Sequence, residues 1–185
     1  MRKSLFVLMI GVLFLGVGCL SSGPSDEDLA RATPSEIELF MQQALQEHPL
    51  KPLSNEEKEQ EIQNMRRAVQ DGKIERVAEF VPGTHEAQGS ARIVKLGNRY
   101  VLTISEDFFL KPAPEIHLLL SVVAKPGNFT EAQTQGKLEL GKLKTNLGGQ
   151  IYDVPSGFDP SRYQSVVLYS KPFKSMLTVG IFHAP

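Results

Sequence analysis

Residues 163–173 read YQSVVLYSKPF, and the way they alternate decides the fold class. In an extended chain Val166, Leu168 and Ser170 fall on one face, and Ser165, Val167 and Tyr169 on the other. Large β-branched and aromatic groups on both faces describe a strand covered on both sides. Lys171-Pro172 closes it, because proline brings no N–H to a ladder. The segment reads as a central β-strand.

Working outward, the flanking sequence repeats the pattern in short pieces. Residues 91–96 and 100–104 flank Gly97-Asn98, a hairpin signal. Residues 116–123 form a second strand that is apolar on both faces. Residues 136–144 form a weaker one, with Leu138 and Leu140 on one face, and 151–154 and 176–182 complete the set. About seven short strands joined by Pro, Gly and Asn turns point to a mainly β fold, a small antiparallel β-sandwich or barrel, since the loops are too short for helical crossovers.

Upstream of residue 76 the periodicity is helical. Thr33-Pro34-Ser35-Glu36 combines an N-cap, a first-turn proline and a capping-box glutamate. Ile37, Phe40, Met41, Ala44 and Leu45 then make one apolar stripe that ends before Pro49. Ser54-Asn55-Glu56-Glu57 repeats the start signal for a second helix running to Val69 and stopped by Asp71-Gly72. Two such helices make a short segment, 33–78, expected either to dock on the β domain of 79–185 or to serve as a solvated stalk.

The N-terminus has the layout of a secretory signal over residues 1–18: Arg2-Lys3, an apolar run from Leu5 to Leu15, then Gly16-Val17-Gly18 before Cys19. The apolar run is shorter than the ~20 residues of a membrane-spanning helix. Gly16-Val17-Gly18-Cys19 resembles a bacterial lipoprotein box, which implies Cys19 as the lipid attachment point and an extracytoplasmic, membrane-anchored protein, at the outer membrane if the cell has one. Ordinary cleavage leaving Cys19 as a free thiol is the alternative. Residues 19–32, with Ser21-Ser22-Gly23-Pro24-Ser25 and three acidic positions, read as a flexible tether.

Counting residues excludes several function classes. Cys19 is the single cysteine, so no intramolecular disulfide forms, and acylation leaves no thiol for redox chemistry. Removal of Arg2 and Lys3 with the signal leaves 18 basic residues against 21 acidic, a net of −3. That sign disfavours nucleic acid and anionic headgroups as partners, so membrane attachment falls to the lipid.

From residue 80 onward the order of short motifs resembles the small extracellular DM-thirteen module, often labelled an electron-transfer domain. The motifs are Gly83 to His85, Gly89-Ser90, Asp107-Phe108, Pro114-Glu115-Ile116-His117-Leu118, Leu140-Gly141-Lys142-Leu143, Gly148 with Gln150, Tyr152-Asp153-Val154-Pro155, Tyr163 with Ser165-Val166-Val167, and Lys171-Pro172-Phe173. The resemblance implies a β fold and, in relatives, a redox role resting on a cysteine in the motif that here reads Tyr169-Ser170-Lys171. A serine hydroxyl neither cycles through a disulfide nor ligates soft metals as a thiolate does.

Candidate ligand- or cofactor-binding residues are therefore His85, Glu115, His117 and Ser170. Meeting in space with Glu115 or Asp107, His85 and His117 could hold a divalent metal or, as a pair, a haem; the plain alternative is that His117 and Glu115 are hydrogen-bonded structural groups. No His-x-x-x-His or Cys-x-x-Cys spacing occurs. Ser170 has no Gly-x-Ser-x-Gly elbow around it, and the glycines at 148–149 and 157 lead into no phosphate-binding helix, so no catalytic constellation is legible. The sequence points to a non-catalytic module that binds an envelope protein or a small ligand, with a haem- or metal-dependent electron-transfer role through the histidines as the alternative.

Overall fold

The computed structural model describes residues 31–47 and 53–185. The signal, Cys19, the tether up to residue 30 and His48 lie outside the described residues.

Both helix starts form as their caps dictate. Helix α1 (Pro34–Glu47) is opened by Thr33, whose backbone N–H donates to Glu36 Oε2 at 2.8 Å. Helix α2 (Asn55–Asp71) has the reciprocal capping box, Ser54 N–H to Glu57 Oε2 at 2.7 Å and Glu57 N–H to Ser54 Oγ at 3.2 Å. It ends at Gly72, whose N–H reaches Ala68 O at 3.0 Å.

Ten strands follow: β1 (Lys73–Pro82), β2 (Ala87–Gln88), β3 (Ser90–Leu96), β4 (Arg99–Ile104), β5 (Phe109–Leu110), β6 (Ile116–Ser121), β7 (Leu138–Lys142), β8 (Gln150–Asp153), β9 (Ser165–Ser170) and β10 (Ser175–Ile181). A one-turn helix, α3 (Phe129–Ala132), lies between β6 and β7. Eight strands form one antiparallel sheet in the order β7-β6-β9-β10-β1-β3-β4-β8, and β2 pairs with β5 beside it. The expected fold class holds, with the sheet curled into a nearly closed barrel. The 163–173 segment is an interior strand, β9, buried along its whole length between β6 and β10. The expected set lacked β1, β2 and β5, and β1 begins at Lys73, inside the stretch read as helical.

Alternate residues of β1, β3, β4, β6, β8 and β9 fill the barrel, among them Phe80, Ile93, Leu102, Ile116, Leu118 and Leu168. Two patches on the outside are covered by helices. On one, α2 lays Ala68 over Val94 and Val101; on the other, the α3 region covers Leu119, Val167 and Tyr169. Thus α2 docks on the β domain, as its sparse apolar face requires.

Between β7 and β8, the two ends of the sheet, side chains do the joining. The Gln150 amide oxygen accepts the backbone N–H groups of Lys144 and Thr145 and the Tyr152 hydroxyl, while its Nε2 donates to Thr145 O at 2.7 Å. Lys144 Nζ donates to Ile151 O at 2.7 Å, and Glu61 of α2 accepts both Lys144 Nζ, at 2.8 Å, and the Ile151 N–H, at 3.2 Å. Helix α2 therefore supplies partners to an edge that would otherwise present bare ladder groups.

Candidate functional site

One end of the barrel is shaped by a bulge. The β9–β10 register slips between Met176 and Thr178, which leaves Leu177 as the extra residue. Its carbonyl is taken by the His85 N–H at 3.2 Å, and Thr84 Oγ1 donates to the neighbouring Met176 O at 3.0 Å. The turn at 83–85 is thereby stitched onto β10 at a close approach that only glycine permits, for a Cβ on Gly83 would stand 2.6 Å from Leu177 O. His85 is left half-buried with Nδ1 3.1 Å from Thr84 Oγ1. Since that hydroxyl spends its proton on Met176 O, Nδ1–H is the donor of the pair. Burial first, and then the charge of Lys111, hold the His85 imidazole below its ordinary value.

Ser170 ends β9 at the same place. It is 2% exposed, and its Oγ donates to Pro114 O at 2.7 Å. His85 and Ser170 line one cleft of about 680 Å³, walled by Ile37 and Met41 of α1, Phe129, and Phe173, Met176 and Leu177. Of the described ionisable groups only His85 and Lys174 line it, and Lys174 is an exposed turn residue held at φ 44.

The other two candidates lie together on the outer face of the sheet. His117 stands opposite Tyr169 across the β6–β9 ladder, with ring centroids 5.7 Å apart. Its Nδ1 is 2.6 Å from Glu139 Oε1 and its Nε2 is 3.3 Å from Glu115 Oε1. Glu115 also has Lys142 and Lys171 at 3.7 and 3.8 Å. Burial opposes ionisation of Glu139, but hydrogen bonds from His117 and Tyr169 outweigh it and hold the carboxyl below its usual value. Burial, with the Glu139 charge behind it, raises the Tyr169 phenol. The two carboxylates occupy opposite nitrogens of one ring, so they do not converge on a common point. Among the described residues no group of three or more His, Cys, Asp or Glu side chains is arranged to hold a metal ion.

The four candidates thus form two pairs. His85 and Ser170 share the cleft, while Glu115 and His117 share a polar cluster outside the barrel. A link runs between them, since Phe129, a cleft wall, packs on Tyr169 at 4.7 Å. Sequence reading missed Glu139, Lys174 and the approach of α1 to the cleft. A larger groove of about 810 Å³ between α2 and β8 is lined by the part-buried pair Lys144–Glu61, which ties α2 to β8, and by the exposed pair Arg99–Asp153.

An antiparallel barrel with the Gly83–His85 turn, the Pro114–Leu118 strand entry and the Ser170 strand end in these positions has the architecture implied by the family resemblance. The family model described as "Electron transfer DM13" matches residues 79–179, and the chain belongs to that family. No curated protein and no solved structure matches the chain.

Proposed function

We propose that this protein is a lipid-anchored cell-envelope module of the electron-transfer family whose own task is non-catalytic, the binding of a small ligand in the cleft that holds His85 and Ser170. The observation that carries the reading is the state of those two groups. Ser170, where the family resemblance implies a redox cysteine, commits its hydroxyl proton to the Pro114 carbonyl. His85 directs Nδ1 to Thr84. A serine becomes a nucleophile only when a base takes its proton, and here the proton stays on the hydroxyl in a hydrogen bond to a backbone carbonyl. What the pair offers is a largely apolar cleft with a few polar groups, the usual make-up of a ligand site.

Anchoring through Cys19 and binding in the cleft are separable. Cys19→Ser is expected to move the protein from the membrane fraction to the soluble fraction without altering the fold. Equal partition of variant and wild type would remove the anchor from the proposal.

Family membership favours a second reading, electron transfer by a haem or metal held on His85 and His117. These two residues do not fit such a group as a pair. His85 lines the cleft, whereas His117 is engaged at both nitrogens outside the barrel and would have to release a carboxylate to act as a ligand. Protein purified from its membrane is expected to be colourless. A Soret band or stoichiometric metal that disappears in His85→Ala would establish the second reading instead.

A further inference from the structure

The ligand-binding reading above leaves the ligand's chemistry open, and the cleft narrows it. A cleft of about 680 Å³ walled largely by apolar side chains lies within the range of about 300–1,000 Å³ found for ligand pockets. Helix α1 brings an apolar stripe to this space without spending it on the barrel. Ala44 is its only buried residue, Ile37 remains 37% exposed, and Ile37 and Met41 face the cleft. Met41 of α1 and Met176 of β10, both lining the cleft, are unbranched and adaptable, which suits a flexible chain better than a rigid ring.

Charge supplies the rest of the description. Among the described residues no Asp or Glu lines the cleft, the nearby Glu131 carboxylate being tied to the Gly127 N–H and the Asn128 amide, while Lys174 lines it and Lys111 lies close enough to bear on His85. Ser175 adds a hydroxyl, while the Thr84 proton is committed to Met176 O. One lining ammonium with one hydroxyl suits a singly charged head. A phosphate dianion would call for an arginine fork or several cations, and among the described residues no arginine lines the cleft.

We infer that the cleft binds a long-chain carboxylate, with its alkyl chain between α1 and the barrel wall and its head at Lys174. The test is photolabelling of the full-length protein, purified from its membrane and reconstituted in phosphatidylcholine nanodiscs. The probes are a diazirine-bearing dodecanoate and the neutral alcohol of the same length, and labelled peptides are mapped by mass spectrometry. The expected result is carboxylate labelling within residues 34–47 and 173–177, competed by unlabelled dodecanoate, with the alcohol labelling several-fold less. Lys174→Gln, at an exposed turn, should weaken half-saturation by the carboxylate about two- to fivefold, the range for one exposed ion pair, and leave the alcohol unchanged. Ile37→Asp, also at an exposed position, should weaken it about tenfold by placing a second carboxylate in the wall. Equal labelling by acid and alcohol, unaffected by Lys174→Gln, would overturn the anionic head while sparing a ligand cleft. Absence of label from both segments with either probe would overturn the ligand-binding reading itself.

Discussion

Ser170→Ala removes one atom, and its cost follows from where that atom is. The hydroxyl is at the buried end of β9 and donates to Pro114 O at 2.7 Å. That bond and the Lys171 N–H bond to Glu115 O at 3.1 Å tie β9 to the turn at 114–115, where Glu115 is held at φ 40. Alanine deletes the donor and leaves a buried carbonyl without it, a penalty of about 1–3 kcal/mol. The turn is also less firmly held in a left-handed conformation that itself costs about 1 kcal/mol for a residue other than glycine. A loss near 2 kcal/mol corresponds to a fall in Tm of roughly 4–8 °C for a chain of this length. Ser170→Cys should lose less, about 1 kcal/mol, because a thiol is a weak donor in the same place. Urea denaturation of the three proteins reads the difference as a shift in midpoint at unchanged slope. If Ser170→Ala matches wild type within ~0.5 kcal/mol, or Ser170→Cys exceeds it, the hydroxyl is not anchoring β9 and the reasoning fails.

Acid should destabilise the protein in two stages. His85 is held below its ordinary value of 6.5, so its contribution is present above pH 6.5 and is lost as pH falls from there through the folded-state pKa; His85→Gln should flatten that part of a stability–pH profile. Glu139, held below 4.5 in the folded state, contributes above pH 4.5 and loses that contribution as pH falls further, so Glu139→Gln should act only on the lower limb. Glu61→Ala should expose the β7–β8 edge by removing the acceptor of the Ile151 N–H and the partner of Lys144, a loss of about 1–3 kcal/mol. Faster hydrogen exchange at the Ile151 amide, with the β6–β9 amides unchanged, is the expected local signature, and uniform acceleration across the sheet would contradict it.

The sequence carried the fold wherever side-chain periodicity and caps are local. Thr33 and Ser54 open the helices that their capping boxes announce, Gly97-Asn98 turns the β3–β4 hairpin, and β9 is the doubly covered strand its alternation describes. Strand β1 was hidden because Lys73-Ile74-Glu75-Arg76 interrupts its alternation at a bulge, where the register shifts between Ile74 and Arg76. Strands β2 and β5 are two residues each, too short to show a period.

The candidate site was legible residue by residue but not as an arrangement, and the reason is register. Alternation puts Ser170 on the face opposite Tyr169, yet only the pairing of His117 with Tyr169 across β6 and β9 fixes that His117 lies on the face away from Ser170, which separates it from His85 as well. Glu139 was missed through the same physics. Simple alternation puts Leu138 and Leu140 on one face of β7, but the β6–β7 register slips between Leu118 and Leu119: Gly141 pairs with Leu118 and Glu139 with Leu119, which leaves Leu140 as the extra residue. Gly141 takes φ 103, a conformation that favours glycine, so the bulge is affordable there. Glu139, between Leu138 and Leu140 that both pack on the barrel core, points to the outer face, and the register set by the slip places it opposite Leu119, where its carboxylate meets the His117 imidazole at 2.6 Å. Gly141→Val should therefore disfavour the bulge and slide β7 against β6 by one residue, carrying Glu139 off its place opposite Leu119 and away from His117. The imidazole nitrogen chemical shifts of His117 would report that separation, and their persistence at wild-type values in Gly141→Val would show that the bulge does not place the carboxylate.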